Sequence, residues 1–340
     1  MKNKVNVAIV GATGMVGSAI LSILEERKFP IDKIFLLASS KSVGEIIKFN
    51  GKEHNVLSLE NFDFSQTDLS FFCASNEIAL EYGPKAANLG NIIIDKSSCY
   101  RYDPDVPLIV PGVNQKSLKK FKNKNIIASP NCSTIPIVMA LKPIYDAVGI
   151  SRFNVATYQS VSGTGKTAVA ELAEQTSLLL NGKPIEPTVY PQQIAFNILP
   201  HIDVFEDNGY TKEEMKIVWE TRKILEDDTI KINPTAVRVP VFYGHSAALH
   251  IETKKKISVK EVISLLAKTK GVEVMQDPNG YPTPVKDSAG KDPVFVGRVR
   301  EDISSKNGLN LWVVGDNIRI GAALNAIHIA ESLLEDKHIG

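Results

Sequence analysis

Cysteine is scarce in this sequence: the 340 residues hold three, Cys73, Cys99 and Cys132, and no two stand at CxxC spacing. That argues against a disulfide framework and against a zinc ribbon, and the compartment reads as reducing. There is no HExxH, and the six histidines do not cluster at ligand spacing, so no metal is expected. An excess of charge is lacking too. Lys and Arg number 39 against 38 Asp and Glu, a net +1, which gives no electrostatic reason to expect nucleic acid or an anionic membrane as partner. The lysine-rich runs 116–124 and 254–256 read as solvated faces. No apolar run approaches the roughly 18 residues that span a bilayer, and a strand begins at Val5 with no room for a signal peptide, so a cytoplasmic protein is expected. What is present is 44% hydrophobic composition, enough for a sizeable core in two domains, and the expected partner is a small molecule.

Residues 5–10 are strand-like, and Gly11-Ala12-Thr13-Gly14-Met15-Val16-Gly17 follows before a helix predicted over 18 to about 27. Glycines at such a break let the backbone turn tightly and approach a pyrophosphate, which rests on the free N–H groups of the helix start. The spacing is GxxGxxG rather than GxGxxG, but its place between strand and helix marks Gly11, Thr13, Gly14, Met15 and Val16 as dinucleotide ligands. After the next apolar run the chain reads Ala38-Ser39-Ser40-Lys41-Ser42, with no acid where NAD enzymes hold the ribose 2′-hydroxyl. Hydroxyls and a lysine suit a 2′-phosphate, so NADP is expected, with Ser39, Ser40, Lys41 and Ser42 near that phosphate. Strand-like runs at 69–75, 91–95, 107–110 and 125–128 alternate with helix-like segments, which predicts a doubly wound, mostly parallel sheet. Ser75, ending one of these runs, lies on the edge where such sheets bind ligands.

Ser129-Pro130-Asn131-Cys132-Ser133-Thr134 places a cysteine where the run 126–128 gives way to a helix predicted over 135–145. A cysteine there sees the positive end of the peptide dipoles, which favours the thiolate and makes Cys132 the candidate nucleophile. The pattern then changes. A strand over 153–161, a helix over 165–180 closed by Asn181-Gly182, and two strands flanking Tyr243-Gly244, paired antiparallel by their short turn, predict a different domain from 134 onward. In Val237-Arg238-Val239-Pro240-Val241 the alternation predicts valines toward a core and Arg238 on the opposite side. A guanidinium beside Gly244-His245 suits a substrate carboxylate, and His245 becomes the candidate base for the thiol. Ser162-Gly163-Thr164-Gly165-Lys166-Thr167 looks like the end of a P-loop, but Ser160 stands where the motif requires glycine, so ATP hydrolysis is not expected.

The Gly11–Gly17 motif, Pro130-Asn131-Cys132-Ser133-Thr134, Tyr158-Gln159-Ser160-Val161-Ser162-Gly163, Gln193-Ile194-Ala195-Phe196-Asn197, Arg238-Val239-Pro240 and Gly244-His245-Ser246 together resemble aspartate-β-semialdehyde dehydrogenases along nearly the whole chain. The resemblance implies an α/β fold. Its N-terminal Rossmann-like doubly wound domain, 1–133, is completed by the C-terminal helix 318–340. An α+β catalytic, substrate-binding and dimerisation domain with a mixed or antiparallel sheet covers 134–317. It also implies NADP-dependent, phosphate-requiring interconversion of L-aspartate 4-semialdehyde and L-4-aspartyl phosphate, feeding lysine, threonine, methionine and diaminopimelate synthesis, in a homodimer.

Carried onto this sequence, Cys132 forms a thioacyl intermediate, His245 is the acid/base, and Gln159 and Arg238 hold the amino-acid part. Arg101 and Lys216 look like the phosphate ligands, and Ser162, Gly163 and Asn317 join the cofactor residues. The Asn131 amide and the helix-start N–H groups would face the oxyanion. Glu213 and Lys216 share a helix face, where the acid could meet the substrate ammonium, and Glu220 and Lys223 have the same spacing. Two rival readings remain. N-acetyl-γ-glutamyl-phosphate reductase carries a Gly-Cys-Tyr-Pro-Thr-like motif where this chain has Asn131-Cys132-Ser133-Thr134, and a non-catalytic NADP-binding sensor leaves Cys132, Gln159, Arg238 and His245 without a role.

Overall fold

The computed structural model describes residues 4–276 and 280–340. The chain divides into two compact units, Met1–Asn131 with Ala322–Gly340, and Cys132–Gly321. The expected boundary at 134 thus falls at 132, which puts Cys132 in the second unit, and the one at 318 falls at 322.

In the first unit, β1 (Val5–Val10), β2 (Ile31–Ala38), β3 (Ile46–Phe49), β4 (Lys52–Ser58), β5 (Leu69–Phe72), β6 (Ile92–Asp95) and β7 (Ile126–Ala128) form one sheet in the order β3-β4-β2-β1-β5-β6-β7. Every neighbouring pair is parallel except β3 with β4. The central strands are apolar without alternation, as strands covered on both faces must be: β5 and β6 are buried at every position. From β1 the chain first builds toward β2 and β4, then returns to add β5 on β1's other side. Such a switch point opens a crevice at the carboxyl ends of the strands. The glycine-rich turn after β1 lies there, as does Ser75, the N-cap of α2 (Asn76–Asn88).

The turn is built on close approach. Helix α1 (Met15–Glu26) is seated so tightly that a Cβ on Gly17 would lie 2.2 Å from the Gly11 carbonyl oxygen. Gly11 itself sits at φ +83°, with the Cys73 carbonyl oxygen 2.6 Å from where its Cβ would be. Gly17→Ala must therefore lift α1 off the turn, and overpacking of this kind costs roughly 1–3 kcal/mol. We expect a lower melting temperature and NADP affinity weakened by about tenfold or more; unchanged values in calorimetry and fluorescence titration would show that the turn relaxes freely.

The run 107–110 does not become a strand. Only Leu108 bridges Ala128 in parallel, because the Asn114 side chain takes the neighbouring backbone groups, accepting from the Val110 N–H and donating to the Leu108 carbonyl. The lysines of 116–124 are exposed on a 3₁₀ helix, Gln115–Asn123, that buries Leu118 and Phe121. The C-terminal helix, expected within 318–340, opens as one π-helical turn, Arg319–Ala323, and continues as an α-helix over Leu324–Glu335. That helix belongs to the first unit, tied to α1's end by Arg27 and Glu331 at 2.7 Å.

The second unit contains α3 (Thr134–Val148), β8 (Ile150–Gln159), α4 (Lys166–Leu180), α5 (Lys212–Leu225), β9 (Lys231–Arg238), β10 (His245–Thr253), α6 (Val259–Ala267), β11 (Val272–Met275), β12 (Val294–Glu301) and β13 (Gly308–Gly315). The sheet runs β11-β12-β13-β10-β8-β9, antiparallel in the middle and parallel at both edges.

Two expectations fail here. The strands flanking Tyr243-Gly244 are not a hairpin, since β9 pairs with β8 in parallel and β10 pairs with β8 antiparallel. Residues between them cross the end of β8, where the Val239 N–H donates to the Gln159 carbonyl and the Val161 N–H to the Val241 carbonyl. Arg238 also sits on the buried side of β9 with Pro234 and Ala236, while Val237 and Val239 are half-buried. A guanidinium tolerates that position because its donors are engaged, as described below. Among the described residues no helix is long and apolar enough to cross a membrane, and no group of three or more His, Cys, Asp or Glu is placed to hold a metal ion.

Candidate active site

Cys132 lies just ahead of α3, whose N-cap is Ser133. Ser133 makes no side-chain capping bond, and its hydroxyl points to Glu213 at 3.4 Å. The Cys132 Sγ is 3.4 Å from Nε2 of His245, at the first position of β10. His245 is 4% exposed. Burial, and then the nearby Arg238 charge, pull its imidazolium pKa from 6.5 to about 3, against an opposing pull from Glu213. At neutral pH the ring is therefore uncharged. The other two thiols are quiet, because desolvation pushes Cys73 up to about 12 and Cys99 up to about 11.

The imidazole is fixed from behind. The Ser160 N–H donates to Nδ1 at 3.1 Å, and the Ser160 hydroxyl lies 3.1 Å from the same nitrogen. Asn317 organises this wall: its Oδ1 accepts from the Ser160 hydroxyl, the Ser162 hydroxyl and the Gly244 N–H. Gly163 closes the other side, where a Cβ would lie 3.0 Å from Arg238 Nη1 and 3.3 Å from His245 Nε2. Ser162 and Gly163 thus begin no P-loop. They form a 3₁₀ turn, Val161–Gly163, packed on the His245 side of this unit.

Arg238 Nη1 donates to the Ser160 carbonyl at 2.8 Å, and its guanidinium carbon lies 5.9 Å from the centre of the Tyr190 ring. Its Nε is buried without a hydrogen-bond partner among the described residues. Gln159, 1% exposed, donates through Nε2 to Glu213 at 3.0 Å. Of the two Glu–Lys pairs on α5, it is therefore Glu213 with Lys216 that reaches Gln159. Lys216 is held by Glu213 at 3.2 Å and by Asp203 at 2.7 Å; although burial opposes its charge, the two carboxylates raise its pKa above the usual value. Three members of this cluster were missed from the sequence: Ser160, Tyr190 and Asp203. Ser160 stood inside a quoted motif, whereas Tyr190 and Asp203 lie in segments whose pattern carries no signal.

The remaining candidates lie in the first unit. Thr13 precedes α1 within the turn, and Met15 and Val16 begin the helix. Ser40–Ser42 form a 3₁₀ turn after β2 with Ser39 at its N-cap, and Ser39, Ser40 and Lys41 are exposed. Arg101, 5% exposed, donates to the Lys96 carbonyl at 2.8 Å, and its charge partly offsets the burial that raises the Asp95 pKa. Asn131 is the last residue of this unit's first segment.

Two family models cover most of the chain: "Semialdehyde dehydrogenase, NAD binding domain" matches residues 6–121, and "Semialdehyde dehydrogenase, dimerisation domain" matches residues 141–320. An aspartate-semialdehyde dehydrogenase of Legionella pneumophila is 59% identical over 98% of this chain and 96% of its own length. Aspartate-semialdehyde dehydrogenase 2 of Vibrio cholerae is 55% identical over 99% of each. The crystal structure of aspartate semialdehyde dehydrogenase II from Vibrio cholerae, complexed with ASA, superposes with a TM-score of 0.97 at 55% identity, covering 98% of this chain and 99% of that one. With Cys132, His245 and Arg238 gathered in one unit and a glycine-rich turn on a mostly parallel sheet in the other, the chain belongs to the aspartate-semialdehyde dehydrogenase family.

Proposed function

We propose that the chain interconverts L-aspartate 4-semialdehyde and L-4-aspartyl phosphate through a thioacyl intermediate on Cys132, using NADP and inorganic phosphate, as a cytoplasmic homodimer. The observation that carries this reading is the Cys132 Sγ at 3.4 Å from a buried, neutral imidazole, with Arg238 and Gln159 in the same unit.

The chain's own residues divide the work. Cys132 forms a C–S bond to the aldehyde carbon while His245 takes up the thiol proton. The Asn131 amide and the first N–H groups of α3 meet the oxygen that becomes negative. Arg238 grips the α-carboxylate through its guanidinium, whose buried Nε has no hydrogen-bond partner among the described residues, and Gln159, held by Glu213, orients the amino-acid part. The ammonium finds its counter-charge in Glu213. Arg101 and Lys216 receive phosphate, which cleaves the thioester and returns Cys132 as a thiolate for reprotonation by His245.

NADP supplies the hydride acceptor, or the donor in reverse, when bound. Gly11, Thr13, Gly14, Met15 and Val16 would hold its pyrophosphate, since Gly11 and Gly17 leave no room for a side chain against the turn. Ser39, Ser40, Lys41 and Ser42 fit a 2′-phosphate because they supply donors and positive charge with no acid among them. Ser75, Ser162, Gly163 and Asn317 complete the set. The homodimer reading is supported by the half-exposed sheet face of the second unit, where Tyr158 and Trp312 lie with ring centres 5.6 Å apart, and by the dimerisation-domain match.

The test is NADPH formation by purified protein from L-aspartate semialdehyde and NADP, with and without phosphate, and from N-acetylglutamate semialdehyde in parallel. Phosphate-dependent activity with the first substrate alone is expected. Activity only with the acetylated substrate would move the assignment to the rival reductase, and silence with both would favour a sensor.

A further inference from the structure

Arg238 is held by a loop with little structure of its own. Residues 181–211, between α4 and α5, are irregular apart from isolated bridges at Leu199 and Phe205, so their backbone N–H groups need acceptors from elsewhere. Two side chains one turn apart on the buried face of α4 supply them. Glu171, 6% exposed, accepts from the Thr188 N–H at 2.9 Å, the Thr188 hydroxyl at 2.7 Å, the Val189 N–H and, at 3.4 Å, the Tyr190 N–H. Gln175 accepts through Oε1 from the Ile194 and Ala195 N–H groups and donates through Nε2 to Glu171. Burial opposes the charge on Glu171, but the hydrogen bonds from Thr188, Val189 and Tyr190 outweigh it and hold the pKa below the usual carboxylate value.

The pinned loop meets Arg238 twice. The Tyr190 ring centre lies 5.9 Å from the guanidinium carbon, and the Tyr190 hydroxyl is 2.9 Å from that of Thr164, next to the Gly163 that packs on Arg238 Nη1. Farther along, Leu199 and Arg238 exchange both backbone hydrogen bonds, and Tyr190, Ile194 and Leu199 share one apolar cluster with Leu172 of α4. We infer that Glu171 is a positioning residue for Arg238: by fixing residues 188–190 to α4 it sets the Tyr190 ring, and the ring orients the guanidinium for the substrate carboxylate. This deepens the carboxylate-binding role proposed for Arg238 and rests on it. A glutamine at 171 cannot do the same. It keeps one oxygen and turns an NH₂ group toward the remaining donors, while Gln175 has its own oxygen committed to Ile194 and Ala195. The loop must then shift at residues 188–190.

The experiment measures kcat and the KM for L-aspartate semialdehyde in Glu171→Gln, in Tyr190→Leu, which removes the ring but keeps an apolar side chain in the cluster, in the double variant, and in Arg238→Lys. Glu171→Gln and Tyr190→Leu should each raise KM about tenfold, the size of a lost contact between a desolvated guanidinium and an aromatic face. In both, kcat should fall by less than KM rises, because destabilisation alone lowers the amount of active protein and leaves KM as it was. The double variant should show no larger KM than either single variant, since Glu171 acts through Tyr190. Effects that multiply in the double variant, or a Glu171→Gln protein with wild-type KM and reduced kcat, would overturn the inference. Should Glu171→Gln fail to fold, Tyr190→Leu decides, and a wild-type KM there overturns it equally. Arg238→Lys separates the two readings. If its KM rises while that of Glu171→Gln does not, only this inference falls; if its own KM is unchanged, the carboxylate role of Arg238 falls and the inference with it.

Discussion

Cys132→Ala abolishes turnover, by on the order of 10⁴-fold or more, as deletion of a nucleophile does generally. The size of the effect follows from the intermediate. Without sulfur the acyl group cannot stay activated after oxidation, and the reaction returns to a single unfavourable step. The fold should be indifferent: Cys132 is only partly buried and lies before the first helical residue, so losing its sulfur opens no core cavity. Circular dichroism and NADP titration should therefore match wild type while the rate vanishes. Loss of cofactor binding in the same variant would make Cys132 a structural residue.

His245→Gln should cost roughly 10²–10⁴ in rate, the range of positioned acid/base catalysis, and should also change how the protein responds to acid. Burial lowers the folded-state pKa of His245 from 6.5 to about 3. Between those values the unfolded chain binds a proton that the folded chain refuses, so stability is full above about pH 6.5 and is lost as pH falls toward 3. Removing the histidine removes that part of the acid sensitivity. Urea melts from pH 7 down to 4 should show a shallower decline for the variant than for wild type. Parallel declines would mean that the ring titrates normally in the folded protein.

Local features were legible in the sequence and non-local ones were not. The Gly11–Gly17 turn and Cys132 are announced by residues a few positions away, because a strand, a break and a helix start are set by neighbours in the chain. The β9/β10 arrangement is not legible there, since pairing depends on what lies between the strands. The short turn at Gly244 suggested a hairpin, but β8 occupies the space and takes a strand on each side. Alternation puts Arg238 on the wrong face because it equates apolar with buried. Here a guanidinium is buried on the Ser160 carbonyl and the Tyr190 ring, and valines take the half-open side. The ring of Tyr190 and the carboxylate of Asp203 reach the site through loops that no periodicity describes.

The central claim is that the acyl group passes through Cys132. Protein mixed with L-aspartate semialdehyde and NADP, with phosphate withheld, is quenched in acid and analysed by intact mass and peptide mapping. An aspartyl group on the peptide carrying Cys132, discharged on addition of phosphate at least as fast as turnover, is the predicted result. No adduct, an adduct on Cys73 or Cys99, or discharge slower than turnover would contradict the account.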